Sequence, residues 1–307
     1  PGGTAVGKII YEKAAKQLCP VTLELGGKSP CVVDDDCNFA VAARRIAWGR
    51  WLNAGQTCIA PDHVLCTAAA ADRLIPELQK ALKEFYGDNP KQSESYGRIV
   101  NERHHARVAR LIDAKKVVIG GEHDVKDLYI APTVMNGVEL DDPVMQEEIF
   151  GPLLPIVHVK SLDDAVDVIN RGEKPLALYV FSNNIPRAES VLDRTSSGGA
   201  CVNDCIVHIS CAALPFGGVG NSGFGAYHGK FSFDTFTHHR GTMVKKLALE
   251  GVNNLRYPPY TDKQISWLKR LIIPSEGRSV VGRVLNAVPW HVVGPVSLAA
   301  LVYVGLF

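Results

Sequence analysis

The stretch IVHVKSLDDAVDVINRGEKPLALYVFS, residues 156–182, decides the fold. Ile156 to Val159 is a short apolar run with β-branched residues, Asp163 to Asn170 reads as a helix, and Leu176 to Ser182 is a second apolar run. A strand, a helix and a strand in so short a space make a β-α-β unit, and such units build parallel sheets with helices on their faces. Outward from here the alternation continues. Pro20 to Leu25 and Cys31 to Val33 read as strands and Phe39 to Trp51 as a helix. Ala68 to Tyr86 carries Leu74, Ile75, Leu78, Leu82 and Phe85 along an amphipathic helix that ends near Gly87. Asn101 to Ala114 predicts a further helix, and Lys116 to Gly120 and Tyr129 to Val134 predict strands separated by a charged turn from Glu122 to Lys126. No internal repeat or low-complexity tract interrupts the pattern. The expected fold class is α/β with a parallel sheet.

A chain of 307 residues, 46% of them apolar, is long enough to bury one large core or two smaller ones. A net charge of +1 argues against a nucleic-acid surface, and the eight scattered cysteines suit a reducing compartment better than a disulfide framework. Cys201, Cys205 and Cys211 near His208 invite a zinc reading. They lack a paired C-x2-C knuckle and lie in an apolar stretch, so no metal site is expected there.

Chemistry concentrates in two segments. Asn53-Ala54-Gly55-Gln56-Thr57-Cys58 places a cysteine after a glycine-bearing turn and before Ile59-Ala60-Pro61, and Leu23-Glu24-Leu25-Gly26-Gly27-Lys28 ends an apolar run on a carboxylate. A thiol with the reference pKa of about 8.5 is only slightly ionised at neutral pH, so a nucleophilic cysteine needs a base or a cation nearby. A partly buried Glu can be that base, because burial lifts its pKa toward neutrality. Taken alone, Cys58 also reads as a buried small hydrophobe and Glu24 as a solvated strand end. His63, five residues beyond Cys58, suggests a Cys-His dyad, but that spacing fixes no contact. Lys28 reads as a solvated cation at a strand end, Glu147-Glu148 as a solvated pair and Phe150 as a core anchor.

Glu24-Leu25-Gly26-Gly27-Lys28-Ser29-Pro30, Gly55-Gln56-Thr57-Cys58 and Gln146-Glu147-Glu148-Ile149-Phe150-Gly151-Pro152 occur in the order and spacing of the NAD(P)-dependent aldehyde dehydrogenase superfamily, which the chain resembles from Gly2 to about Pro258. Lys174 to Phe181, Pro215 to Gly223 and Gly225-Ala226-Tyr227-His228-Gly229-Lys230 resemble its class 3 branch, and within it the fatty aldehyde dehydrogenases. The resemblance implies Cys58 as nucleophile and Glu24 as base, with Glu148 an alternative base. It implies NAD, or NADP, as cofactor. Gly2, Gly3, Thr4, Ala5, Val6 and Gly7 would face the pyrophosphate from a helix N-terminus, although the family usually has Ser or Asn where Gly3 stands. Glu148 would bond the ribose beside nicotinamide, and Phe150 would pack near the ring. The substrates implied are medium- to long-chain aldehydes and the products carboxylic acids. A homodimer is the implied assembly. A CoA-acylating relative and a catalytically inactive membrane-bound relative are the alternatives.

By the same resemblance, residues 1–25 are the end of a Rossmann-like NAD-binding domain that largely precedes Pro1, and with it the ribose-contacting lysine and the oxyanion-holding asparagine. Residues 26–215 are the catalytic domain, 216–258 a C-terminal motif and oligomerisation region, and 259–283 a basic linker. Val284 to Phe307 contains no Asp, Glu, Lys or Arg in 24 residues, and Arg270, Arg278 and Arg283 precede it. About 20 apolar residues suffice to span a bilayer, and upstream cations favour a cytosolic flank. The expectation is a C-terminal hydrophobic helix that anchors the protein in the endoplasmic reticulum membrane with its catalytic domain in the cytosol. Pro289 and Pro295 weaken that helix, and a buried or interfacial segment is the alternative.

Overall fold

Continuous runs of apolar residues, such as Pro30–Val33 and Ala177–Phe181, are buried along their whole length, as strands covered on both faces must be. In the computed structural model, which describes residues 1–248 and 250–272, these runs form the centre of a seven-stranded sheet. The chain begins with α1 (Thr4–Ala15), β1 (Leu23–Glu24), β2 (Pro30–Val33), α2 (Phe39–Trp51), β3 (His63–Cys66) and α3 (Ala68–Tyr86). It continues through α4 (Glu102–Ala109), β4 (Val117–Ile119), β5 (His123–Asp124), β6 (Tyr129–Ile130), β7 (Thr133–Asn136), α5 (Pro143–Gln146) and β8 (Leu153–His158). Then follow α6 (Leu162–Arg171), β9 (Ala177–Phe181), α7 (Ile185–Asp193), β10 (Gly199–Val202), β11 (Gly223–Phe224), α8 (Gly229–Phe236), α9 (Glu250–Asn253) and α10 (Asp262–Ile272). Residues 1–238 form one compact unit and residues 239–307 a second.

The sheet order is β10-β9-β2-β3-β8-β7-β4. Every pairing is parallel except the β4–β7 edge, so the expected parallel sheet is present with one antiparallel margin. The β8-α6-β9 unit and α2 and α3 have the expected extents to within three residues at any end. Leu74, Leu78 and Leu82 are buried, placing that face of α3 in the core.

Three expectations are corrected. The helix predicted over Asn101 to Ala114 stops at Ala109: the amides of Leu111 and Ile112 bond three residues back, and the Asp113 carboxylate takes the Lys115 N–H at 3.0 Å. That side-chain turn competes with the helix. The run Tyr129 to Val134 is two strands, because Pro132 has no N–H to donate: β6 pairs with β5 inside the predicted Glu122–Lys126 turn, and β7 joins the main sheet. Of Pro20 to Leu25 only β1 is a strand, and it pairs antiparallel with β11 rather than entering the main sheet. Among the described residues no helix is long and apolar enough to cross a membrane. The expected anchor, residues 284–307, lies outside the described residues.

Candidate active site

The loop after α2 holds the candidate nucleophile under strain. Asn53 and Ala54 have φ of 52° and Gly55 has φ of 74°, three successive left-handed residues of which only the glycine adopts that conformation freely. Gly55 is required for a second reason: a β-carbon there would collide with the Gly151 carbonyl oxygen. The Gln56 side chain donates to the carbonyls of Asn53 (3.0 Å) and Arg98 (2.9 Å) and accepts from the Val100 N–H (2.9 Å). Beyond Cys58, the Tyr179 hydroxyl donates to the Ile59 carbonyl at 2.6 Å. The half-buried thiol of Cys58 is thus fixed on both sides by bonds its neighbours make.

Glu24 arrives from the short β1–β11 pair. Its backbone carbonyl accepts from the Gly2 N–H at 3.0 Å, and Gly223 opposite it has φ of 129° with no room for a β-carbon against the Leu23 carbonyl. The side chain is only 5% exposed and lies beside the Cys58 thiol, while its Oε1 has no hydrogen-bond partner. Burial raises the Glu24 pKa, and the neighbouring Cys58 thiol acts against that rise. Burial also pushes the Cys58 thiol up, to about 12, with the charge of Glu24 next in weight. The Cys58 thiol therefore rests protonated, with the Glu24 side chain beside it. Tyr227 lies close enough for its hydroxyl to be raised, after burial, by the charges of Glu24 and Cys58.

The Glu148 carboxylate packs over Gly26, where a β-carbon would strike it, and lies near enough to the Gly27 N–H to have its pKa lowered by it. Burial, then the charge of Asp62, raise it to about 7. It is partly buried rather than a freely solvated partner of Glu147. Phe150 is not a core anchor: with φ of 47° its ring is turned out and 39% exposed, while the flanking carbonyls of Ile149 and Gly151 are taken by the partly buried Arg107 and the buried Arg50. Thr4, Gly26, Gly27 and Glu148 line one cleft of about 640 Å³ together with Lys28 and His63. Cys58 and Glu24 are not in its lining. The Thr4 hydroxyl donates to the Asn221 carbonyl at 3.2 Å, Gly7 packs on Leu25, Gly2 and Gly3 are open on their side-chain positions, and Ala5 and Val6 are exposed. The first-turn amides of α1, which no intrahelical carbonyl can satisfy, carry no side-chain cap.

Lys28 is not a solvated strand end. Its Nζ forms an ion pair with Asp62 and donates to the carbonyls of Val144 (2.9 Å) and Glu147 (3.0 Å). His63 is buried, held neutral by a pKa driven down to about 3 through burial and then Lys28, and its Nδ1 is unpartnered; nothing pairs it with Cys58. Among the described residues no cluster of His, Cys, Asp or Glu is able to hold a metal ion. Sequence reasoning missed Arg50, Asp62 and Tyr227. Arg50 follows Ala43 and Ile46 on the apolar stripe of α2, and Asp62 opens an apolar strand, so charge inside a buried pattern was the available signal.

The aldehyde dehydrogenase family profile matches residues 1–241. Mouse "aldehyde dehydrogenase, dimeric NADP-preferring" is 59% identical over 258 residues, 84% of this chain and 57% of that protein. Mouse "aldehyde dehydrogenase family 3 member A2" is 53% identical over 284 residues, 92% of this chain and 59% of that protein. Among solved structures, a substrate-bound state of Staphylococcus aureus AldH superposes with a TM-score of 0.79 at 45% identity, covering 87% of this chain and 58% of that one. A Mycobacterium tuberculosis aldehyde dehydrogenase complexed with NAD+ gives 0.70 at 27% identity over 77% of this chain and 50% of that one. The chain spans just under three fifths of the length of these two mouse relatives.

Proposed function

Because the chain belongs to the aldehyde dehydrogenase family, we propose that the protein oxidises aldehydes to carboxylic acids with NAD or NADP, through a thioester on Cys58. The observation that carries this is the Cys58 thiol beside a buried Glu24, near enough for each to move the other's pKa, with Glu24 Oε1 unpartnered. As Cys58 Sγ bonds to the aldehyde carbon, its proton passes to Glu24, and the carbonyl oxygen becomes the oxyanion of a thiohemiacetal. The Cys58 backbone N–H would donate to that oxyanion. When bound, the nicotinamide cofactor supplies the hydride acceptor that takes the carbonyl hydrogen and leaves a thioester. Glu24 must first release the thiol's proton to solvent, the one proton lost per turnover. It then takes a proton from the water that attacks the thioester, and gives that proton to the Cys58 sulfur as it leaves, freeing the acid and restoring the thiol.

The residues present fit the cofactor. The unpaired first-turn amides of α1 suit a phosphate, and Thr4 opens on the cleft that Glu148 also lines. Gly2 to Gly7 would hold the pyrophosphate, the Glu148 carboxylate the ribose hydroxyls, and the outward ring of Phe150 the nicotinamide face. Lipid-like aldehydes are the proposed substrates; Trp48 and Leu52, one turn apart where α2 ends, before the loop that carries Cys58, are apolar residues, 41% and 40% exposed, that could meet them. A homodimer is proposed on the strength of the mouse relative whose name calls it dimeric. Cys58→Ala, in the protein expressed from its complete reading frame, is expected to abolish aldehyde-dependent NAD reduction while NAD binding, followed by fluorescence titration, is kept. Turnover above a trace in that variant rules the assignment out.

A further inference from the structure

Between the Cys58 loop and Glu148 lies a buried charged cluster that touches neither reacting group. Asp62 Oδ1 accepts the Ile149 N–H at 3.0 Å and faces Arg50 Nη1 at 3.7 Å, while Oδ2 pairs with Lys28. Lys28 in turn bonds the Glu147 carbonyl, so the two members of one ion pair hold the backbone immediately before and immediately after Glu148. The Asp62 N–H donates to the Ser29 carbonyl at 2.8 Å, which ties the same pair to the segment that follows Gly26 and Gly27. Arg50, 1% exposed, completes the cluster by donating to the carbonyls of Pro61 (3.0 Å) and Gly151.

Stability alone does not explain such an arrangement. A buried ion pair is weak evidence for stabilisation, since apolar residues of the same shape often serve as well. What charge-assisted bonds in a water-poor site do supply is fixed geometry. Here the geometry fixed is that of Glu148 against Gly26 and Gly27. Beyond the Asp62–Lys28 pair, the Cys58 side of the loop is held by Gln56 and by Tyr179 on Ile59. Burial works against an ionised Asp62, but Lys28 and Arg50 overcome it and hold its pKa below the ordinary value, so the pair is charged at neutral pH.

We propose that Asp62 is a positioning residue for hydride transfer: paired with Lys28, it fixes the backbone on both sides of Glu148 and so sets where the Glu148 carboxylate meets the cofactor ribose. The proposal rests on the reading of Glu148 as the ribose ligand. Asp62→Asn keeps the shape and an acceptor for the Ile149 N–H but removes the charge that holds Lys28. In the complete protein with saturating aldehyde, this variant is expected to lose on the order of 10- to 100-fold in kcat, with a raised KM for NAD. Alkylation of Cys58 by iodoacetamide should change by less than about twofold. The double variant Asp62→Asn/Glu148→Gln should be no slower than Glu148→Gln, because residues acting through one group do not add.

Multiplying losses in the double variant, or alkylation falling in step with kcat, overturns the proposal and makes Asp62 a support of the fold or of Cys58. If Asp62→Asn does not fold, Lys28→Gln is put through the same cycle with the same expectations. If the wild-type protein reduces no NAD, the assigned activity fails separately. NAD affinity by fluorescence titration then decides the proposal, which requires Asp62→Asn and Glu148→Gln to weaken binding non-additively and is overturned by additive effects.

Discussion

At the scale of single residues, the site is a set of acids and a thiol whose protonation the fold has moved. Glu148 shows the consequence most directly. Burial, then the Asp62 charge, raise its carboxyl from 4.5 to about 7 in the folded chain. A raised acid binds its proton more tightly when folded, so the stability it contributes is fully present below pH 4.5 and is lost as pH climbs through about 7. At pH 8 the wild-type chain therefore carries a destabilising carboxylate that Glu148→Gln removes. The variant is expected to be more stable at pH 8 by about 2 kcal/mol and nearly unchanged at pH 5, a difference readable as a pH-dependent shift in denaturant midpoint. An equal gain at both pH values would assign the effect to packing. Glu24 is raised in the same direction, and its cost is the means by which it reaches a thiol whose own pKa stands at about 12.

At the scale of elements, the end of α2 and the loop beyond it hold the nucleophile. Gly55→Ala would force a β-carbon into the Gly151 carbonyl at a φ of 74°. The loss of stability should be about 3 kcal/mol or more, larger than for a surface Gly→Ala, and the loop must shift Cys58 to relieve it. Thermal melts and iodoacetamide kinetics on the same preparation check both effects; an unchanged alkylation rate would mean that Cys58 is placed from its C-terminal side alone. Helices α2 and α3 and the β8-α6-β9 unit were legible because apolar periodicity is a local signal. The strand boundaries around Pro132 were not, since a missing N–H matters only once the pairing partner is known. Cys58 and Glu24 were singled out from motif context. The ties of Lys28, Arg50 and Asp62 escaped notice because their partners are backbone carbonyls and amides far along the chain, and a sequence carries no mark of those.

At the scale of the whole molecule, the sheet and the Cys58–Glu24 pair belong to the unit of residues 1–238, and α9 and α10 to the second unit. We propose that residues 284–307, beyond the described part of that second unit, anchor the protein to a membrane, on the ground of their 24 uncharged positions. Deleting them should release the protein from an alkaline-carbonate-washed membrane pellet and leave oxidation of short, water-soluble aldehydes intact. A wild-type protein already soluble in that wash, or a truncation that unfolds, would make the segment a core or assembly element. The covalent chemistry on Cys58, resolved by Glu24, is the claim on which the rest depends. It is tested most directly by intact-protein and peptide mass spectrometry of Glu24→Gln, in the complete protein, after incubation with a long-chain aldehyde and NAD. The account predicts one acyl group per chain, as a thioester on the peptide bearing Cys58, persisting because no base activates water. No adduct, an adduct on another cysteine, or turnover at the wild-type rate would contradict it.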